Sequence, residues 1–249
     1  MFNRLINFMK NSLLLLTLMV LAVSCNSAKK STYLTTKNVL IFTKTNGFRH
    51  ASIETGVAAL REIAAENHWA VTHSEDSLIF TPERLKDTDL VIFLNTTGDI
   101  FGEAQEKAFK KYIEDGGRFF GIHAASDTEY DWPWYGDFIG GYFVSHPKIQ
   151  QARINKKTDH VTVEAFPKTF ERTDEWYNFK NLNPDVTVTL TLDESSYEGG
   201  KNGVYHPHAW YQQVGEGMMY YTGGGHTDES YSEPGFRQHL EDVMTWLMK

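Results

Sequence analysis

The sequence predicts an α/β fold, a mostly parallel sheet with helices on both faces and an antiparallel β extension. Three observations carry this. Short strands are apolar through their length, as in Asn38–Thr43 and Asp89–Thr96. Helical faces alternate with them. After Gly140 the pattern changes to period two. Continuously apolar strands belong in a sheet covered on both faces, and alternation with amphipathic helices implies βαβ units. Period-two segments imply antiparallel pairing with one face wetter than the other.

Taken in order, residues 38–43 form the first strand, and "TNGFRH" turns the chain. Ile53, Val57, Leu60, Ile63 and Ala64 mark the inner face of a helix within 51–68. "WAVTHS" is the second strand and "DLVIFLNT" the third. A helix over 104–114 turns Ala108, Phe109 and Tyr112 inward and stops at Asp115-Gly116-Gly117. "RFFGIH" is the fourth strand. "GYFVSH", "QARINKK", "VTVEAF" and "DVTVTLTLDE" read as strands of an antiparallel extension of the sheet or of a small β subdomain, and "AWYQQV" and "GMMYYTGG" as a late hairpin. Phe236, Leu240, Val243 and Leu247 give the last helix its buried face, with Pro234 in the first turn, where a missing N–H costs nothing.

The first 24 residues read as an export signal. Arg4 and Lys10 precede a short apolar run, Leu13–Val23, and Ala22-Val23-Ser24 stands before Cys25. Small residues before a cysteine resemble the bacterial lipoprotein processing site, with Cys25 as the lipidated residue and 25–36 as a polar tether to a domain over 37–249. An ordinary secreted protein is the alternative. The lipoprotein reading places the protein in a Gram-negative bacterium, exported and lipid-anchored at the outer membrane, facing the periplasm. Cleavage leaves 225 of the 249 residues and removes two cations and no acid, so the net charge moves from −8 to −10. That balance, with no basic stripe, argues against nucleic acid. Cys25 is the sole cysteine, so the domain has no thiol for catalysis, disulfide or metal.

Ligands of open α/β sheets bind beyond the carboxyl ends of the strands. There the sequence places Arg49 and His50, the Asn95–Asp99 turn, His123 with Ser126 and Asp127, and His226. Any single histidine among ten is more often structural, and "NTTGD" is also ordinary turn chemistry. "GGGH" lacks the Lys-Ser/Thr of a phosphate loop. His123 and Asp127 suit two ligands on one helical face, or a cap and its neighbour. His206 and His208 alternate as in an exposed strand or loop. The aromatics from Trp132 to Tyr142, set among acids, fit sugar stacking as well as they fit core packing.

"NGFRH", "GGRFFGIHAASD", "GGYFVSHP", "DEWY", "AWYQ" and "YTGGGHT", in this order, resemble the ThuA-like (trehalose utilisation) family across the domain. The resemblance implies a flavodoxin-like fold related to class I glutamine amidotransferases. In those enzymes the strained turn after this fourth strand carries a cysteine nucleophile, where this chain has His123 or a neighbour, so the scaffold is shared and the thiolate chemistry is not. It further implies pocket residues His50, His123, His146, Glu175 and His226, with Asp127, Trp134, Tyr177 and Trp210 as wall residues. The expected substrate is a glucoside or 3-keto-sugar, with a functional link to a sugar oxidoreductase. His123 is then a general base, and Glu175 or His226 a partner acid or metal ligand. Arg49, or a divalent metal held among His50, His123, His146 and His226, would stabilise an oxyanion. The alternatives are a non-catalytic carbohydrate-binding lipoprotein and a metal-dependent hydrolase of another polar substrate.

Overall fold

The computed structural model describes residues 36–249. The expected export signal, Cys25 and most of the tether therefore lie outside the described residues.

Eleven strands and five α-helices follow one another from residue 38. They are β1 (Asn38–Phe42), α1 (Ile53–Glu66), β2 (Ala70–Ser74), α2 (Pro82–Lys86), β3 (Leu90–Leu94), α3 (Glu103–Glu114), β4 (Arg118–Ile122) and α4 (Pro133–Ile139). Then come β5 (Tyr142–Ser145), β6 (Gln150–Lys156), β7 (Thr169–Asp174), β8 (Asn178–Lys180), β9 (Thr187–Asp193), β10 (His206–Val214), β11 (Gly217–Thr222) and α5 (Pro234–Leu247). Nine strands make one sheet in the order β2-β1-β3-β4-β11-β10-β9-β6-β7. The first five are mutually parallel, and β11 through β7 pair antiparallel. The expected parallel sheet with an antiparallel extension is thus what forms.

Alternation along the buried strands feeds two cores. Val39, Ile41, Leu90, Ile92 and Phe120 pack under α1 and α5. Leu40, Phe42, Val91, Phe93 and Phe119 pack under α2, α3 and α4. Strand order 2-1-3-4 reverses beside β1, so the carboxyl ends of β1 and β3 flank the crevice where such sheets take ligands.

Two expectations need correction. "VTVEAF" is not a strand: Val161–Val163 form one 3₁₀ turn, capped by the His160 side chain, which accepts from the Thr162 N–H. Its alternation reflects burial of Thr162 and Val163 with Val161 at the surface, and Pro167 breaks any ladder beyond it. The strand at this edge is β7, whose "TFERTD" looks too polar for one because Arg172 and Asp174 pair inside the protein. His206 and His208, expected in an exposed segment, are buried in β10. The short α2 and α4, which begin at Pro82 and Pro133, were not legible as helices, since neither is long enough to show a period.

Candidate active site

His123 follows β4 directly, with its backbone at φ +49, the left-handed region that side chains rarely enter. The strain is held from outside: the Tyr221 hydroxyl donates to the His123 carbonyl at 2.8 Å. The strand thus ends in a strained turn at His123, but the side chain it carries is buried among its neighbours and not exposed.

The ring is fixed as well. His123 Nδ1 lies 2.9 Å from the Gly223 carbonyl, an acceptor, so Nδ1 carries the hydrogen and Nε2 presents its lone pair. Nε2 faces His226 Nδ1 at 3.2 Å and Glu175 Oε2 at 3.5 Å. Glu175 Oε2 is also 3.2 Å from His226 Nδ1. The rings of His50, His123 and His226 stand mutually near-perpendicular, with centroids 5.0–5.1 Å apart. One ligand-type atom from each of His50, His123, Glu175 and His226 falls within 4.8 Å of the others.

Four separate chain segments meet here, and buried polar groups knit them. Asn95 bonds Ser52 Oγ at 3.1 Å and the Gly225 carbonyl at 3.4 Å, and accepts from the Ala124 N–H at 3.5 Å. Those three bonds tie together the loops of His50, His123 and His226. The fully buried Asp174 carboxylate accepts the backbone N–H groups of Glu175 (2.9 Å), Gly225 (2.8 Å) and His226 (3.2 Å) and the Ser230 hydroxyl (3.0 Å). Arg172, itself paired with Glu233, balances its charge at 3.5 Å. Gly225 sits at φ +108, and a side chain there would also strike the Tyr231 hydroxyl at 2.8 Å.

Burial, reinforced by the neighbouring His123 and His226, pushes His50 down to about 3, so its imidazole is neutral. Burial alone would raise Glu175, but the neighbouring His123 and His226 imidazoles outweigh it and hold the carboxylate at about 2. Burial opposes charge on His226, and Glu175 overcomes it and raises the imidazole above its ordinary value. His50 Nδ1 is buried without a hydrogen-bond partner, a defect that costs roughly 1–3 kcal/mol unless something accepts its lone pair or proton. Three imidazoles, one of them with an orphaned nitrogen, and one carboxylate fit a divalent transition ion of borderline softness, zinc above all. The residues present therefore suit a metal.

Of the predicted site residues, His50, His123, Glu175 and His226 converge. His146 joins them from outside the ligand set. Its Nδ1 lies 2.8 Å from Glu175 Oε1, and its side chain is 44% exposed. Three of the four expected histidines thus gather with Glu175, which the resemblance also offered as a ligand, while His146 reaches only the other oxygen of that carboxylate. Tyr177 packs against the cluster, its ring 4.1 Å from that of His123 and its hydroxyl 3.5 Å from His50 Nε2.

Trp134 and Trp210 are not wall residues. Trp210 is fully buried, stacked at 4.4 Å on Tyr221, with Nε1 donating to the Ile139 carbonyl at 2.8 Å. Trp134 packs parallel to Phe138 at 5.0 Å. Core packing wins for both, since each has an aromatic neighbour within its own layer. Arg49 is engaged by Glu54 (2.6 Å) and Glu75 (2.9 Å), not by the histidines. Asp127 takes the Tyr130 hydroxyl at 2.6 Å and is not a second ligand beside His123. Asp174, which the sequence pattern did not single out, is the residue that orders the site. The only signal for it was two adjacent acids at a strand end, where successive side chains must face opposite ways.

A mostly parallel α/β sheet with a strained turn after its fourth strand, where His123 stands beside Glu175 and two further histidines, defines a glutamine amidotransferase-like fold with no cysteine among the described residues. The ThuA family profile, described as trehalose utilisation, matches residues 38–247, and the chain belongs to that family. A ThuA-like protein from Bacteroides uniformis superposes with a TM-score of 0.72 at 24% identity, covering 88% of this chain and 94% of that one. One from Parabacteroides merdae gives 0.68 at 15% identity, over 86% and 90%. A GMP synthase component from Thermoplasma acidophilum gives 0.54 at 12% identity, over 84% and 94%. These likenesses establish the fold. No curated protein matches the sequence.

Proposed function

We propose that the protein is a sugar-processing enzyme that holds a divalent metal on His50, His123, Glu175 and His226 and acts on a glucoside or 3-keto-sugar. The observation that carries the reading is the convergence of four ligand-type atoms within 4.8 Å of one another, from a group that includes the unpartnered ring of His50. When bound, such an ion supplies Lewis acidity toward a sugar oxygen.

The remaining chemistry falls to the chain. A carbonyl at C3 of a sugar acidifies the protons at C2 and C4, so the reaction needs a base beside the ligand group. His123 would be a ligand, and the role of base passes to His146. Its Nδ1 faces two acceptors, Glu175 Oε1 at 2.8 Å and the Pro147 carbonyl at 2.9 Å, so Nδ1 keeps its hydrogen and Nε2 remains basic. Partial exposure lets His146 return the proton to solvent. The buried Tyr177 hydroxyl keeps His50 in place. The same reading has the protein carried by a lipid on Cys25, facing the periplasm, with a sugar oxidoreductase supplying the keto-sugar.

Turnover of a 3-keto-glucoside tests it. The wild type should convert it, and His146→Ala should lower kcat by roughly 10²–10⁴-fold while sugar binding survives. Sugar binding without turnover in the wild type would make the protein a carbohydrate-binding lipoprotein instead.

A further inference from the structure

Trp210 is fully buried and Trp134 packs against the core on Phe138, so neither tryptophan offers the substrate's ring a face beside the ligand group. We propose that Phe48 is the aromatic platform of the site, stacking on the apolar C–H face of a pyranose ring. This rests on the sugar-processing reading.

Among the described residues Phe48 is the exposed phenylalanine, 67% accessible. Single exposed hydrophobic side chains are ordinary, and two further features set this one apart. The first is its place. The Phe48 ring stands edge-to-face with His50, centroids 5.0 Å apart, so it borders the ligand group directly. The second is the rigidity of its loop. Asn46 N–H donates to the Thr97 carbonyl at 2.8 Å, Gly47 N–H donates to Thr97 Oγ1 at 3.2 Å, and Thr97 Oγ1 donates to the Phe48 carbonyl at 2.9 Å. Gly47 approaches so closely that a side chain there would meet Thr97 Oγ1 at 3.2 Å. A phenyl ring clamped at the backbone and turned out to solvent is organised in advance for a ligand. That ligand must offer an apolar face to the ring and oxygens to the adjoining histidines and carboxylate, which is the chemistry of a pyranose.

The test titrates trehalose calorimetrically into wild type, Phe48→Ala, Phe48→Leu and Phe48→Trp, with a zinc titration of each protein. Phe48→Ala and Phe48→Leu should weaken trehalose binding roughly tenfold, and Phe48→Trp should keep it, since only an aromatic face supplies the stacking. Zinc affinity should be the same in all four. Unchanged trehalose binding in Phe48→Ala, recovery by leucine as complete as by tryptophan, or no trehalose binding even by the wild type overturns the platform. Failure of the wild type to bind zinc, with the trehalose pattern intact, supports the platform and sinks the metal reading alone.

Discussion

Replacing Asp174 with asparagine changes one atom of a side chain that touches no ligand-type atom of the site. Its two oxygens divide four donors. Oδ1 takes the N–H groups of Glu175 and His226, while Oδ2 takes the Gly225 N–H and the Ser230 hydroxyl and faces Arg172. Whichever way the new amide turns, its NH₂ confronts at least one backbone N–H now 2.8–3.2 Å away. Hydrogen bonds to a charged acceptor contribute about 1.5–3 kcal/mol each, and Arg172 also loses its buried counter-charge. The loss should be about 3–5 kcal/mol, a large part of the roughly 5–15 kcal/mol typical of a domain. Urea unfolding at constant m-value reads it directly. Because the same bonds hold the backbone of Glu175 and His226, metal affinity of the folded variant should fall about 10–100-fold. A change below about 1 kcal/mol, or full destabilisation with undiminished metal affinity, would refute the claim that Asp174 orders the site.

Other consequences are independent of that residue. Glu175→Gln should reduce metal affinity more than about 100-fold, measured by competition with a chromogenic chelator, because it removes a ligand and not merely its support. Trp210→Ala should cost about 3–5 kcal/mol by leaving a cavity between Tyr221 and Phe179, while metal stoichiometry stays unchanged. Burial raises Glu129 from 4.5 to about 7 against the Ile100 and Phe101 N–H groups that favour its charge. The folded state therefore holds a proton that the unfolded chain has released, and stability from this group falls as pH rises from about 4.5 to 7. The whole effect is at most about 3 kcal/mol, and Glu129→Gln should flatten it in denaturant midpoints taken across that window.

The parallel half of the sheet was legible because β1, β3 and β4 are buried on both faces and so spell their burial in unbroken apolar runs. Glycine and histidine at their carboxyl ends then marked the crevice, and His50, His123 and His226 followed from strand order. The antiparallel half was less legible. Its edge strand β7 stabilises itself by pairing Arg172 with Asp174, which reads as polar loop until the partners are seen. Trp134 and Trp210 misled for a related reason: a tryptophan beside acids looks like a sugar platform, and only packing shows Trp210 against Tyr221. Phe48 escaped notice because one phenylalanine in a turn carries no period. Its meaning comes from His50 at 5.0 Å.

The metal-centred reading of the site depends on His50, His123, Glu175 and His226 binding a metal together. Metal analysis of protein purified without added ions, before and after chelation, decides this, with thermal unfolding as the second readout. About one divalent transition ion per chain is expected. Returning zinc at about 100 times its Kd should add about 2.7 kcal/mol, or roughly 5–10 °C in Tm. Protein that holds less than about a tenth of an equivalent, and whose Tm is unmoved by zinc, manganese, cobalt or nickel, would contradict it.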